Sequence, residues 1–88
     1  MPDYMIVAAF ASEPDATLLP AERKRLKELA DGSVLRKAYL SAGRSEAWLV
    51  MCCDGLDDVR DAMESLPLYP YMEIREILEV HEISLSTA

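Results

Sequence analysis

Residues Glu46 to Cys53 read EAWLVMCC, and laid out as a strand this stretch is apolar on both sides. Successive side chains of a strand point to opposite faces. Trp48, Val50 and Cys52 therefore share one face, and Ala47, Leu49, Met51 and Cys53 share the other. Burying one large apolar side chain is worth roughly 1.5 to 3 kcal/mol, so a sheet containing this strand calls for cover on both faces.

Working outward, Ser41-Ala42-Gly43-Arg44-Ser45 precedes it as a short hairpin-like link with glycine at its centre, and Val34 to Leu40 reads as the strand on the other side of that link. Upstream, Leu18 to Ala30 has helical spacing, with Pro20 near its first turn and Asp31-Gly32 as its stop. Tyr4 to Phe10 is a strand-like apolar run. Downstream, Asp57 is placed to cap a second helix whose apolar positions Val59, Ala62, Met63 and Leu66 fall at i, i+3, i+4 and i+7. Pro67 and Pro70 stop it, and Glu73 to Ile83 reads as a last strand.

Strand, helix, strand, strand, helix, strand is the ferredoxin-like βαββαβ order, an α+β fold with a four-stranded antiparallel sheet. Two helices cover one face of such a sheet. The economical cover for the other is a second copy stacked sheet to sheet, so the expected state is a homodimer or higher homo-oligomer. With 88 residues, the chain reads as a single domain, 1–88, small enough to lean on a partner for stability.

Composition narrows the classes of function. The formal net charge of −7 argues against nucleic acid as a partner. The charge is uneven, with seven basic and six acidic residues up to Arg44 but two basic and ten acidic from Ser45 onward. The first half can therefore hold a small anionic organic substrate, although Arg23, Lys24, Arg25 and Lys27 also fit a solvated helix face. The N-terminal stretch MPDYMIVAAFAS has Asp3 where a secretory signal needs basic residues and reads as a first strand. No run approaches the roughly 20 apolar residues of a membrane helix. Adjacent Cys52 and Cys53 point to opposite faces of a strand, which fits two reduced, unreactive thiols in a cytoplasmic protein, and no metal-ligand spacing occurs.

Glu22 breaks the inward stripe of the first helix, Leu19, Leu26, Leu29 and Ala30, at a position that asks for an aliphatic residue. Two readings fit. With Pro20 as the first helical residue Glu22 is the third, where its carboxylate would satisfy free N–H groups of the first turn. As a partly buried acid with a raised pKa, it would carry protons near neutral pH.

One segment remains: LPLYPYMEI, Leu66 to Ile74, which is far more apolar than loops that run over a surface in water. It resembles the signature of muconolactone isomerases, and the similarity runs without a gap from Glu22 through the Ala42-Gly43-Arg44 turn to the end of that signature. The resemblance implies a ferredoxin-like subunit that forms dimeric α/β barrels, commonly gathered into larger rings. The implied activity is proton transfer between two carbons of an unsaturated, carboxylated lactone in catechol degradation, with no metal or organic cofactor. Glu22 falls in register with the family's proton-transferring carboxylate, Arg36 matches an arginine of its second strand, and Arg44 matches an often basic position.

Departures from the family pattern are specific. Leu35-Arg36-Lys37 and then Tyr39 stand where the family has Trp-Arg-His and a further Trp, and Ser45 and Ala47 stand where it has an aromatic residue and an Asn. The family's basic C-terminal segment has no counterpart in Ile83-Ser-Leu-Ser-Thr-Ala88. Lys37, on the same strand face as Tyr39, is either a replacement donor or a surface lysine; Tyr71 and its neighbour Tyr69 are either pocket aromatics or interface anchors. The candidate site is thus Glu22 as base, with Arg36, Lys37, Tyr39, Arg44 and Tyr71 binding substrate. His81, the one histidine, shares a strand face with Glu79 as a conceivable relay pair or lies free in water. The competing function is a non-catalytic small-molecule-binding or oligomerisation module of the same superfamily; a cofactor-free oxygenase on this barrel fold rests on analogy alone.

Overall fold

The computed structural model describes residues 1–86. Its elements run β1 (Asp3–Phe10), a 3₁₀ turn (Ala16–Leu18), α1 (Leu19–Asp31), β2 (Leu35–Leu40), β3 (Glu46–Cys52), α2 (Leu56–Glu64), a second 3₁₀ turn (Tyr69–Tyr71) and β4 (Met72–Val80). The sheet order is β2-β3-β1-β4, with all three pairings antiparallel. This is the expected ferredoxin-like α+β fold.

Both helices pack on one face of the sheet. Tyr4 and Ile6 of β1, with Leu49 and Met51 of β3, are buried there against Leu29 of α1 and Val59, Ala62 and Met63 of α2. The α2 stripe, with Leu66 just beyond the helix, keeps the spacing read from the sequence. Its cap differs: extended Gly55 takes the cap position, while Asp57 and Asp58 lie in the first turn, where they complement the positive end of the helix dipole.

The α1 stripe also differs. Glu22 and Leu29 are the buried residues of α1, whereas Leu19 and Ala30 are exposed. The helix also runs through Asp31, and Ser33, not Gly32, takes the left-handed conformation (φ 63°) that ends it. There the Val34 N–H donates to the Leu29 carbonyl at 2.9 Å and closes the last turn.

Two bulges set the registers. On β4, Arg75 is skipped between Ile74 opposite Ala8 and Glu76 opposite Val7. Ile74 and Ile77 are three residues apart, yet the extra residue lets both turn to the helix side. On β2, Arg36 is skipped between Leu35 opposite Met51 and Lys37 opposite Val50. β4 ends at Val80, three residues short of the expected Ile83, because β1 has no residue beyond Asp3 left in the ladder to pair with it.

On the other face of the sheet, Met5, Val7, Trp48 and Val50 are half-buried, with Tyr39 and Leu78 exposed beside them. No element of the described residues packs over them. Among those residues, no helix is long and apolar enough to cross a membrane.

Candidate active site

Glu22 stands in the second half of α1's first turn, where helix geometry turns it inward, and it is only 6% exposed. Its Oε1 accepts a hydrogen bond from the Leu68 main-chain N–H at 3.0 Å. The carboxylate therefore faces the apolar segment, not the free N–H groups of its own helix, and the capping reading does not describe it. Burial pushes its pKa above the usual carboxylate range, an effect the Leu68 N–H partly offsets. Among the described residues, no Lys, Arg or His pairs with it.

The apolar segment is held by this bond and by its own packing. Leu66 and Leu68 are buried, while Tyr69 and Tyr71 are half-buried in the 3₁₀ turn that Pro70 helps to set. The Tyr71 carbonyl accepts the Ala11 N–H at 2.9 Å, which ties the segment to the end of β1. At the same end of the sheet, the Phe10 N–H donates to the Ser45 carbonyl of the β2–β3 hairpin. That hairpin carries Arg44 exposed at φ 59°, so Arg44 and not Gly43 adopts the left-handed conformation. Glu22, Tyr71 and Arg44 thus belong to one end of the molecule.

Arg36 belongs to the other end. Its guanidinium donates to Asp3 Oδ2 at 2.9 Å, at the start of β1. The rise of an extended strand, about 3.3 Å per residue, puts Asp3 roughly 23 Å from Phe10. Asp3 Oδ1 is buried with no hydrogen-bond partner. Lys37 and Tyr39 lie between the two ends on the uncovered face, opposite Val50 and Trp48. The six candidate residues therefore do not converge within one protomer.

Clefts among the described residues include these two. One of about 310 Å³ lies between Arg25, Leu29, Val34, Cys53 and Asp58, and one of about 520 Å³ lies between α2 and β4, lined by Leu56, Arg60, Tyr69, Ile74 and Ile77. Glu22 lines neither. Both cysteines are free, and burial, then the nearby Asp58 charge, raises the Cys53 pKa, which disfavours the thiolate. His81 lies beyond β4, 86% exposed, with Nε2 at 3.8 Å from Glu79 Oε2, a surface contact and not a relay. Neither Asp3 as the partner of Arg36 nor the Leu68 N–H as the partner of Glu22 was readable beforehand, because main-chain donors and cross-strand ion pairs leave no local pattern.

The fold is ferredoxin-like. Solved structures share this architecture. A crystal structure of muconolactone isomerase at 3.3 Å resolution superposes with a TM-score of 0.71 at 23% sequence identity, covering 98% of this chain and 97% of that one. No protein-family model and no curated protein matches the sequence.

Proposed function

We propose that the chain is a cofactor-free isomerase that moves a proton on a small, carboxylated, unsaturated lactone or a related intermediate of aromatic breakdown. The observation that carries this reading is Glu22: an acid buried to 6% exposure, with its pKa raised, held by one main-chain N–H at an apolar loop. The reaction asks for a base next to an acidic C–H that can return its proton to a neighbouring carbon, and a carboxylate with a raised pKa is matched to that task near neutral pH. Arg44, at the same end, is the cation placed to orient a substrate carboxylate. Tyr71 offers a hydroxyl there.

Arg36, Lys37 and Tyr39 enter this reading through self-association. The uncovered apolar face fits a second copy stacked sheet to sheet, and residues of that face then border space between the two copies. The free thiols suit the reducing cytoplasm. The reading requires no metal or organic cofactor.

The test is to mix the protein with muconolactone and follow proton NMR in D2O, with Glu22→Gln as control. Conversion with deuterium incorporation, abolished in the variant, is the expected result; no conversion and no deuterium uptake overturns the specific activity. A second reading, a binding or oligomerisation module, draws on a different observation: among the described residues no Lys, Arg or His forms an ion pair with Glu22, and Glu22 lines neither cleft described above.

A further inference from the structure

Among the described residues, two hydrogen bonds join α1 to the end of α2 and to the apolar segment. The Leu68 N–H donates to Glu22 Oε1 at 3.0 Å, and Arg25 Nε donates to Ser65 Oγ at 2.9 Å. Glu22 and Arg25 stand three residues apart and share one side of α1. Ser65 and Leu68 are also three apart, so the two bonds form successive rungs.

The Ser65 rung is fixed at both ends. Ser65 closes α2: its N–H donates to the Asp61 carbonyl at 3.1 Å, and its hydroxyl donates to the Ala62 carbonyl at 2.6 Å. With its proton committed there, Oγ has a lone pair left for Arg25. The guanidinium is steadied in turn by Glu28, whose Oε1 lies 3.4 Å from Nη1.

The chain from Ser65 to Leu68 is stiff. The Leu66 N–H donates to the Met63 carbonyl at 3.0 Å, and the Tyr69 N–H donates to the Leu66 carbonyl at 2.9 Å. Pro67 between them fixes its own φ. A shift of Ser65 is therefore passed on to Leu68.

We infer that Arg25 and Ser65 are positioning residues for Glu22: their bond sets where the apolar segment meets α1 and so keeps the Leu68 N–H on the carboxylate. That N–H is the one hydrogen bond the carboxylate makes among the described residues, and hydrogen bonds weaken steeply as their geometry degrades. Arg25 acts here by position and not by charge. The causes of the raised Glu22 pKa are burial and the opposing Leu68 N–H; neither Arg23, Lys24 and Arg25 of α1 nor Tyr69 and Tyr71 of the segment is among them. The role of Glu22 itself rests on the function proposed above.

NMR on the full chain tests the inference through the Leu68 amide, whose proton shift follows the charge of the carboxylate it binds. In the native chain this shift should step as Glu22 ionises, and the step should be absent in Glu22→Gln. In Ser65→Ala and in Arg25→Met, neither of which removes a buried side chain, the step should be lost. Leu68 amide exchange should then quicken by about tenfold or more, while β3 amides stay protected. Ser65→Thr keeps the hydroxyl and should keep the step. A step of native size in Ser65→Ala or Arg25→Met, or its loss in Ser65→Thr, overturns the positioning role. Turnover separates this role from the proposed function: with muconolactone, Ser65→Ala should lower kcat by about tenfold or more with little change in KM. A native chain that converts no muconolactone, with the step lost in both variants, sinks the proposed reaction alone. Conversion that is unimpaired in variants with an intact step sinks the positioning alone.

Discussion

The two faces of this sheet are built from nearly the same kinds of residue and have opposite fates. On β3, Leu49 and Met51 are 4% and 0% exposed beneath the helices, whereas Trp48 and Val50, one residue away from each, are only half-buried. Apolar alternation in a sequence records how often a position is meant to be covered, not by what. One chain supplies cover for one face, and the surplus on the other is what motivates the proposed self-association.

Breaking each face separately turns this contrast into a measurement. Ile6→Ala removes a fully buried side chain from the helix-covered core and should lower unfolding free energy by about 2 to 5 kcal/mol in urea titrations. Val7→Asp, its neighbour on the uncovered face, empties no such core. It should leave the far-UV spectrum native while shifting sedimentation toward monomer, since an unpaired charge between stacked sheets is costly. Equal loss of protomer stability in both variants, with no change in association, would mean that the second face needs no partner.

A smaller effect should come from the bond between α1 and the apolar segment. Glu22→Ala leaves the buried Leu68 N–H without an acceptor and should cost about 1 to 3 kcal/mol, whereas Glu22→Gln keeps a carbonyl oxygen there and should cost less. The pH dependence has a definite sign. The folded-state pKa of Glu22 is raised above its ordinary value of 4.5, so the folded state holds the proton more tightly than the unfolded chain. The resulting stabilisation is fully present below the unfolded pKa and disappears as pH rises through the folded one. The stability difference between the native chain and Glu22→Gln should therefore move against the native chain as pH rises from 4.5, and a flat difference would show that Glu22 is not desolvated.

Glu22 also marks how far the sequence could be read. The element order, the helix-covered stripe of β3 and the spacing in α2 were legible because hydrophobic period alone determines them. The inward position of Glu22 was legible as an interruption of α1's stripe. Its partner was not, since the Leu68 N–H belongs to the main chain, which every residue shares. The phase of β4 was hidden for a related reason: the Arg75 bulge shifts the alternation by one residue, and nothing in Ile74-Arg75-Glu76-Ile77 marks where the extra residue falls. The same holds for Arg36, read as a substrate cation but engaged with Asp3 across the sheet. Gly32 and Gly43 marked the helix stop and the hairpin link correctly, whereas the left-handed conformations of the adjacent Ser33 and Arg44 had no signal in the sequence, since glycine permits that conformation without requiring it.

Arg44 offers the smallest effect and the sharpest separation of stability from function. A non-glycine residue at φ 59° is held in a sparsely allowed region at a cost of roughly 1 kcal/mol. The hairpin keeps its shape through other groups: the Arg44 N–H donates to the Ser41 carbonyl at 2.8 Å, and Ser41 Oγ accepts the N–H groups of Ser45 and Glu46. Arg44→Gly should thus leave the turn intact and raise stability by up to about 1 kcal/mol, less the greater freedom glycine gives the unfolded chain. If Arg44 orients the substrate carboxylate, the same change should raise KM for an anionic lactone with little effect on kcat, because a cation remote from the moving proton contributes uniform binding. A more stable variant with unaltered KM would remove Arg44 from the site and take away the cation proposed for the substrate carboxylate. The anion would then have to be held by side chains on the uncovered face, and the site would belong to the assembly instead of the single chain.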